Sequence, residues 1–181
     1  MKEKRLDRES GGFLELESEL AREGNRFFRF AYRLCGSRED AEDIVVAAFV
    51  AACQNHHRLR DTEASIQWLY RIVLNQWRMH RRRHSLPSLP LTEMDETGVQ
   101  FSTDHIALAQ AMERLSPKQR EALVLVKGEG LTLKEAAGLL RRPVGTVASH
   151  VTQALGLLRK ELYPSADAEV GREVRLKHEL P

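Results

Sequence analysis

LSPKQREALVLVKGEGLTLKEAAGLLRRPVGTVASHVTQALGLLRK, residues 115–160, decides the fold. Ser116, Pro117 and Gln119 supply an N-cap, a proline at the first helical position and a reciprocal side chain three residues after the cap. Those signals start a helix that runs to about Lys127, where Gly128 and Gly130 end it. Thr132 and Glu135 form a second capping box, opening a helix to about Leu140 with Leu133, Ala136, Ala137 and Leu140 on its apolar face. Arg141-Arg142-Pro143 is a turn. A longer helix follows from Val144 to about Leu162, with Val147, Val151, Leu155 and Leu158 inward. A short helix, a tight turn and a longer helix make the helix-turn-helix plan.

Working outward from that stretch, helical periodicity continues and strand alternation is nearly absent. Residues 105–114 read as a short helix. Residues 13–35, 38–54 and 64–83 read as three longer ones. Ser37 caps the second of these, and Glu39, Asp40, Glu42 and Asp43 crowd its first turns, where the helix dipole favours acids. Ile66, Leu69, Tyr70, Val73 and Trp77 form the inward face of the third. Between the helical groups lies SLPSLPLTEMDETGVQFST, residues 85–103, with prolines, a glycine and acids but no base. The fold class is therefore all-α. Two small helical domains, 13–84 and 104–163, are joined by a flexible acidic linker, 85–103, and the second carries the helix-turn-helix. Residues 164–181 form a polar tail.

The chain has 181 residues, enough for one ordinary domain or two small ones. Its 28 Lys+Arg against 26 Asp+Glu leave a net charge of +2, so the distribution of charge carries the information. No apolar run approaches the roughly 18–20 residues of a membrane span. The polar start, MKEKRLDRESGG, does not read as a signal peptide, and a cytoplasmic protein without membrane insertion is expected. Cys35 and Cys53 sit in apolar helical patterns and fit a reducing compartment. Cys53, His56 and His57 match no structural zinc spacing, so no metal or other cofactor is expected. There is no phosphate-cradling glycine loop and no ordered nucleophile motif, which argues against an enzyme.

The third helix ends in a basic run. Arg71, Arg78, Arg81, Arg82 and Arg83 follow Tyr70 without an acid, and Trp68, Tyr70 and Trp77 are interleaved. Cationic side chains beside aromatic rings suit an unpaired nucleic-acid strand. A core role for the tryptophans and a solvated face for the arginines is the plainer alternative. The last helix differs: from Pro143 to Leu158 its only titratable residue is His150, neutral at pH 7 by its ordinary value.

Three motifs together, across residues 20–162, resemble the extracytoplasmic-function (ECF) sigma factors of the sigma-70 family. AEDIV within SREDAEDIVVAAFVAA resembles region 2.2, IQWLYRIVLNQWRMHRRR regions 2.3–2.4, and the 115–151 stretch region 4. The resemblance implies that Asp40, Glu42, Asp43 and Phe49 dock on core RNA polymerase. It implies that Arg58, Arg60, Trp68, Tyr70, Arg71, Asn75, Arg78, Arg81 and Arg82 open and hold the −10 promoter element. It assigns the −35 element to Thr132, Arg141, Arg142, Val144, Gly145, Thr146, Ser149, His150, Thr152 and Gln153. Core polymerase, promoter DNA and an anti-sigma factor are the implied partners.

Two departures refine this picture. Where the family carries basic residues after the turn, this chain has Ala148, His150 and Gln153, so its last helix is expected to hold DNA weakly or to read an unusual element. Where the family has a polar pair after the acidic motif, this chain has Val46-Ala47. Two other readings stay open: a sigma-like protein that captures an anti-sigma factor without reading DNA, and a LuxR-like helix-turn-helix regulator.

Overall fold

The computed structural model describes residues 22–55, 65–83 and 103–164. The acidic linker and the polar tail read from the sequence lie outside these residues, except Thr103, which begins a helix, and Pro164. Helix α1 spans residues 22–35. It is followed by α2 (Arg38–Asn55), α3 (Ser65–Arg83), α4 (Thr103–Glu113), α5 (Pro117–Leu123), α6 (Leu133–Leu140) and α7 (Val144–Leu162). No strand occurs among the described residues.

The first unit is built on aromatic contacts. Phe27, Phe30, Ala31 and Leu34 of α1 are fully buried. They meet Ala41, Ile44, Ala48 and Ala52 of α2, and Leu69, Tyr70, Val73, Leu74 and Trp77 of α3. The Tyr70 ring stands edge-on to Phe30 at 4.8 Å and to Phe27 at 5.2 Å. Edge-to-face geometry suits the ring quadrupoles, and the alanines of α2 let the helices approach closely. Gly36 takes φ 82° and donates its amide to the Tyr32 carbonyl, ending α1 in a left-handed turn that a side chain would strain. Ser37 Oγ then accepts from the Asp40 amide and starts α2. The Cys35 thiol donates to the Ser37 carbonyl at 3.2 Å, and burial pushes its pKa up to about 12. It stays a neutral thiol at any ordinary pH. We therefore predict that Cys35 reacts with a thiol reagent at pH 8 only when the protein is unfolded; rapid native-state labelling, mapped by peptide mass, would contradict the packing.

The second unit follows its caps. Ser116 and Gln119 bond each other's backbone amides at 3.4 and 2.9 Å, and Thr132 and Glu135 do the same at 3.2 and 2.8 Å. These bonds to Thr132 also hold the Glu135 carboxyl below its usual pKa. Replacing Thr132 by Ala is expected to cost about 1 kcal/mol. Urea denaturation should show a lower midpoint with an unchanged slope; an unchanged midpoint would refute the capping role.

Three sequence expectations require correction. The helix from Pro117 does not stay α-helical to Lys127: it widens into a π-turn over Val124–Gly128. The Glu129 amide bonds the Val124 carbonyl and the Leu131 amide bonds the Leu125 carbonyl, so the chain leaves in a wider loop. Leu133 is 37% exposed and Leu139 is buried in its place on α6. Side chains lean toward a helix's N-terminus, so the first residue of α6 projects past the packed turn. On α7 the buried row is Val147, Val151, Ala154 and Leu158, and Leu155 is 42% exposed. A spacing of four, three and four keeps this row on one stripe, whereas four, four and three drifts off it.

The two units touch. Arg120 of α5 donates to the Leu34 carbonyl at the end of α1 at 2.9 Å, and an ideal Cβ on Gly128 would lie 3.3 Å from Arg33 Cδ. One charged contact of this interface, Arg78 with Glu121, falls on a residue of the candidate site.

Candidate nucleic-acid interface

Helix α3 buries one side against α1 and α2 and turns the other outward. Asn75, Arg81 and Arg82 are exposed, with Asn75 and Arg82 two turns apart on one face. Arg81 lies over the Trp77 ring at 5.7 Å, and Arg82 Nε donates to the Arg78 carbonyl at 3.2 Å. Trp68 and Arg71 are half-buried. Arg58 and Arg60 lie outside the described residues.

Two members of the predicted −10 set are engaged within the protein in this conformation. Tyr70 is 1% exposed, and its hydroxyl donates to Glu129 Oε2 at 2.5 Å. Burial and that carboxylate push the Tyr70 pKa above its ordinary value. Arg78 donates twice to Glu121, from Nε at 2.6 Å and from Nη2 at 2.9 Å. This bidentate pair raises the guanidinium pKa further. The tyrosine is buried because position 70 falls on the stripe that packs α3 against α1.

The helix-turn-helix presents its predicted set unevenly. Val144, Gly145, Thr146, Ser149, Thr152 and Gln153 are exposed along α7. Gln153 donates to Ser149 and accepts from Gln119, both at 3.2 Å. Arg141 is exposed and takes φ 53° as the left-handed cap of α6. Arg142 turns inward, with Nη2 at 3.6 Å from Glu121. Thr132 is occupied in its capping box, its hydroxyl donating to Glu135 at 2.6 Å. His150 is half-buried, and desolvation, with Arg142 and Lys118 nearby, holds its pKa below the ordinary value, so it contributes no charge at pH 7. Among the described residues three buried side-chain nitrogens lack a hydrogen-bond partner: Arg71 Nε, Arg142 Nη1 and His150 Nδ1. All three belong to residues assigned to DNA.

The acidic helix offers a second surface. Glu42 and Asp43 are exposed, Glu42 paired with Arg38 at 3.0 Å. Asp40 lies 3.3 Å from His80. Phe49 is half-buried, edge-on to Phe27 at 6.4 Å. Asp43 and Ala47 line a groove between α2 and α3 that also holds Ile44, Gln76, Met79 and Arg83. Val46 and Val50, exposed at 63% and 52%, extend α2's outer surface with apolar side chains. No cluster of metal-ligating side chains occurs among the described residues, and His56 and His57 lie outside them.

Sequence reasoning missed Glu121 and Glu129, whose side chains are 3% and 4% exposed. Glu121 carried a signal: an acid on the buried stripe of a capped helix needs a cationic partner. Glu129, between two glycines, carried none. It accepts from Arg33 at 2.7 Å and from Tyr70, and lies 3.6 Å from Arg26.

Comparison with known proteins agrees with this geometry. Residues 20–86 match the model of sigma-70 region 2, and residues 105–158 that of sigma-70 region 4. The RNA polymerase sigma-E factor of Streptomyces coelicolor is 30% identical over 157 residues, covering 84% of this chain and 88% of that protein. The ECF RNA polymerase sigma factor SigM of Mycobacterium tuberculosis is 32% identical over 146 residues, covering 78% and 74%. Among solved structures, the sigma factor RpoE of Bartonella quintana, crystallised with the anti-sigma factor NepR, shares the fold. Its TM-score is 0.69 at 23% identity, covering 81% of this chain and 95% of that one. CnrH, solved with the cytosolic domain of CnrY, has a TM-score of 0.62 at 24% identity, covering 83% and 88%. A matched region 2 ahead of the helix-turn-helix sets the LuxR-like alternative aside. Region 2 followed by region 4, with relatives of 30% and 32% identity covered over 88% and 74% of their length, places the chain in the ECF sigma factors of the sigma-70 family.

Proposed function

We propose that the outer face of α3 holds the unpaired −10 strand, α7 meets the −35 duplex and the acidic start of α2 docks on core RNA polymerase. The observation that carries this reading is the division of α3: one face is aromatic core, and the other sets out Asn75, Arg81 and Arg82 beyond a Trp77 that one arginine covers. A cationic and amide-bearing face suits the phosphates and base edges of a single strand, and the half-buried Trp68, two turns before Asn75, is the aromatic ring on that side. Arg71 and Trp68 flank that face, and Arg58 and Arg60 lead into it along the chain.

Asp40, Glu42 and Asp43 complement a basic partner surface, and the exposed Val46 and Val50 add apolar area where the family carries polar side chains. On α7, Ser149, Thr152 and Gln153 read base edges, and Arg141 with the turned-in Arg142 supplies charge from the preceding turn. The weakness of this module is tolerable because the polymerase and the −10 contact make its binding intramolecular. The protein acts as an initiation factor in the cytoplasm and catalyses nothing by itself. By precedent of RpoE with NepR, an anti-sigma protein is its antagonist.

Run-off transcription with core polymerase on a pool of host promoter fragments tests the reading. Specific transcripts that require this protein are expected. Absence of both transcripts and binding to core would end it and favour the partner-mimic alternative.

A further inference from the structure

The outer side of α2 changes character halfway along the helix. Glu39, Glu42 and Asp43 stand exposed on its first turns, and Val46, Ala47 and Val50 stand exposed on the next two. Positions 39, 43, 46 and 50 fall at spacings of four, three and four, so acids and valines share one stripe about 16 Å long. Val46 and Val50 are the most exposed aliphatic side chains among the described residues. Across the groove between α2 and α3, Met79 stands opposite Ala47 and is 40% exposed. The groove holds about 200 Å³ over Ile44, with Asp43 and Arg83 also on its walls. It is open because residue 47 is an alanine, and a longer side chain at that position would lie in it. Single exposed apolar residues are ordinary, but a contiguous set beside an open groove marks an interaction surface.

We infer that Val46, Ala47 and Val50 set which polymerase surface this chain accepts. Core RNA polymerase seats a large apolar side chain in the α2–α3 groove, over Ala47 and against Met79, and lays apolar surface on the two valines. A base on the same surface meets the acids one turn earlier. The inference rests on the proposed docking of α2 on core polymerase. It departs from the family pattern, in which a polar pair at 46 and 47 would fix the partner by hydrogen bonds. Here a polar partner group aimed at these positions would lose its water and gain no hydrogen bond, so a surface shaped for a polar pair is rejected and an apolar one is accepted. A second copy of this chain does not fit the face. Its α2 carries no base after Arg38 to offer the acids, and the patch is far smaller than the roughly 20–30 residues a side of a standard interface. The two halves of the stripe also differ in their response to salt. Exposed ion pairs at Glu39, Glu42 and Asp43 are screened, whereas apolar contact at Val46 and Val50 is not.

The test titrates the full-length protein, labelled with fluorescein at its N-terminus, with the host's core polymerase and reads anisotropy over a series of salt concentrations. Ala47→Gln fills the groove, and Val46→Ser with Val50→Ser removes the apolar stripe. All three positions are exposed, so urea midpoints should stay at the wild-type value and separate docking from folding. Each variant should bind core about tenfold more weakly, with the salt dependence of wild type. Asp43→Asn should do the reverse and flatten the salt dependence, because it removes a screened charge. A folded Ala47→Gln or a folded double-serine variant that binds core within about twofold of wild type would overturn the apolar seat. So would a loss in either that disappears at high salt, since that would place the effect on the acids. In those cases wild type still binds core, and the docking of α2 stands on its charges alone. If wild type itself does not bind core, the docking reading and the apolar seat fall together.

Discussion

Promoter-specific run-off transcription should fall about a hundredfold when Asn75 and Arg82 are both replaced by Ala, because each lost base or phosphate contact is worth roughly a factor of ten. Both side chains are exposed on one face of α3, and neither supports the core. The loss should appear with binding to core polymerase unchanged, since the acidic start of α2 is untouched. Gln153→Ala, by contrast, should leave transcription within about threefold of wild type. Its amide already bonds Ser149 and Gln119, and its helix contributes little charge. Measuring both variants on one promoter separates the two modules. Equal losses would refute the claim that affinity leans on the first domain, and an undiminished double variant would remove α3 from the strand path.

Phe30→Ala is expected to cost about 3–5 kcal/mol, the range for removing a fully buried aromatic ring. Phe30 has no exposed surface, and its ring meets that of Tyr70 at 4.8 Å. Removal leaves a cavity against α3 and frees Tyr70 to lean away from Glu129. A loss of this size is a large part of the roughly 5–15 kcal/mol that holds a small domain folded. Urea denaturation followed by far-ultraviolet circular dichroism measures it directly. A loss below about 1 kcal/mol would mean that the site collapses around the missing ring or that the aromatic triad is not packed. A transition that splits in two would show that the units unfold separately.

Local signals account for much of this molecule. Capping boxes at Ser116 and Thr132, the Ser37 cap and the Pro143 turn each act within a few residues, and the structure places them where the residue order does. The exposed face of α3 was legible for the same reason: a helix converts spacing into direction. The misreadings are of another kind. Leu133 and Leu155 are apolar residues in plausible places, but the packed stripe passed over them because Leu139 and Ala154 met the neighbouring helices. Tyr70 lies on the inward face its spacing predicts, but the acceptors of Tyr70 and Arg78 were not legible locally, because they lie 59 and 43 residues away along the chain.

Residue order alone therefore specifies the all-helical class, the helix starts, the helix-turn-helix and the charge of each surface, since caps, periodicity and the helix dipole are short-range effects. Which of those charges face solvent is a tertiary matter. Arg78, Arg142 and Tyr70 are donors in search of an acceptor, and the sequence offers many acids. Only the docking of region 4 on region 2 selects Glu121 and Glu129, because a buried carboxylate is stable only where several donors from separate helices converge on it.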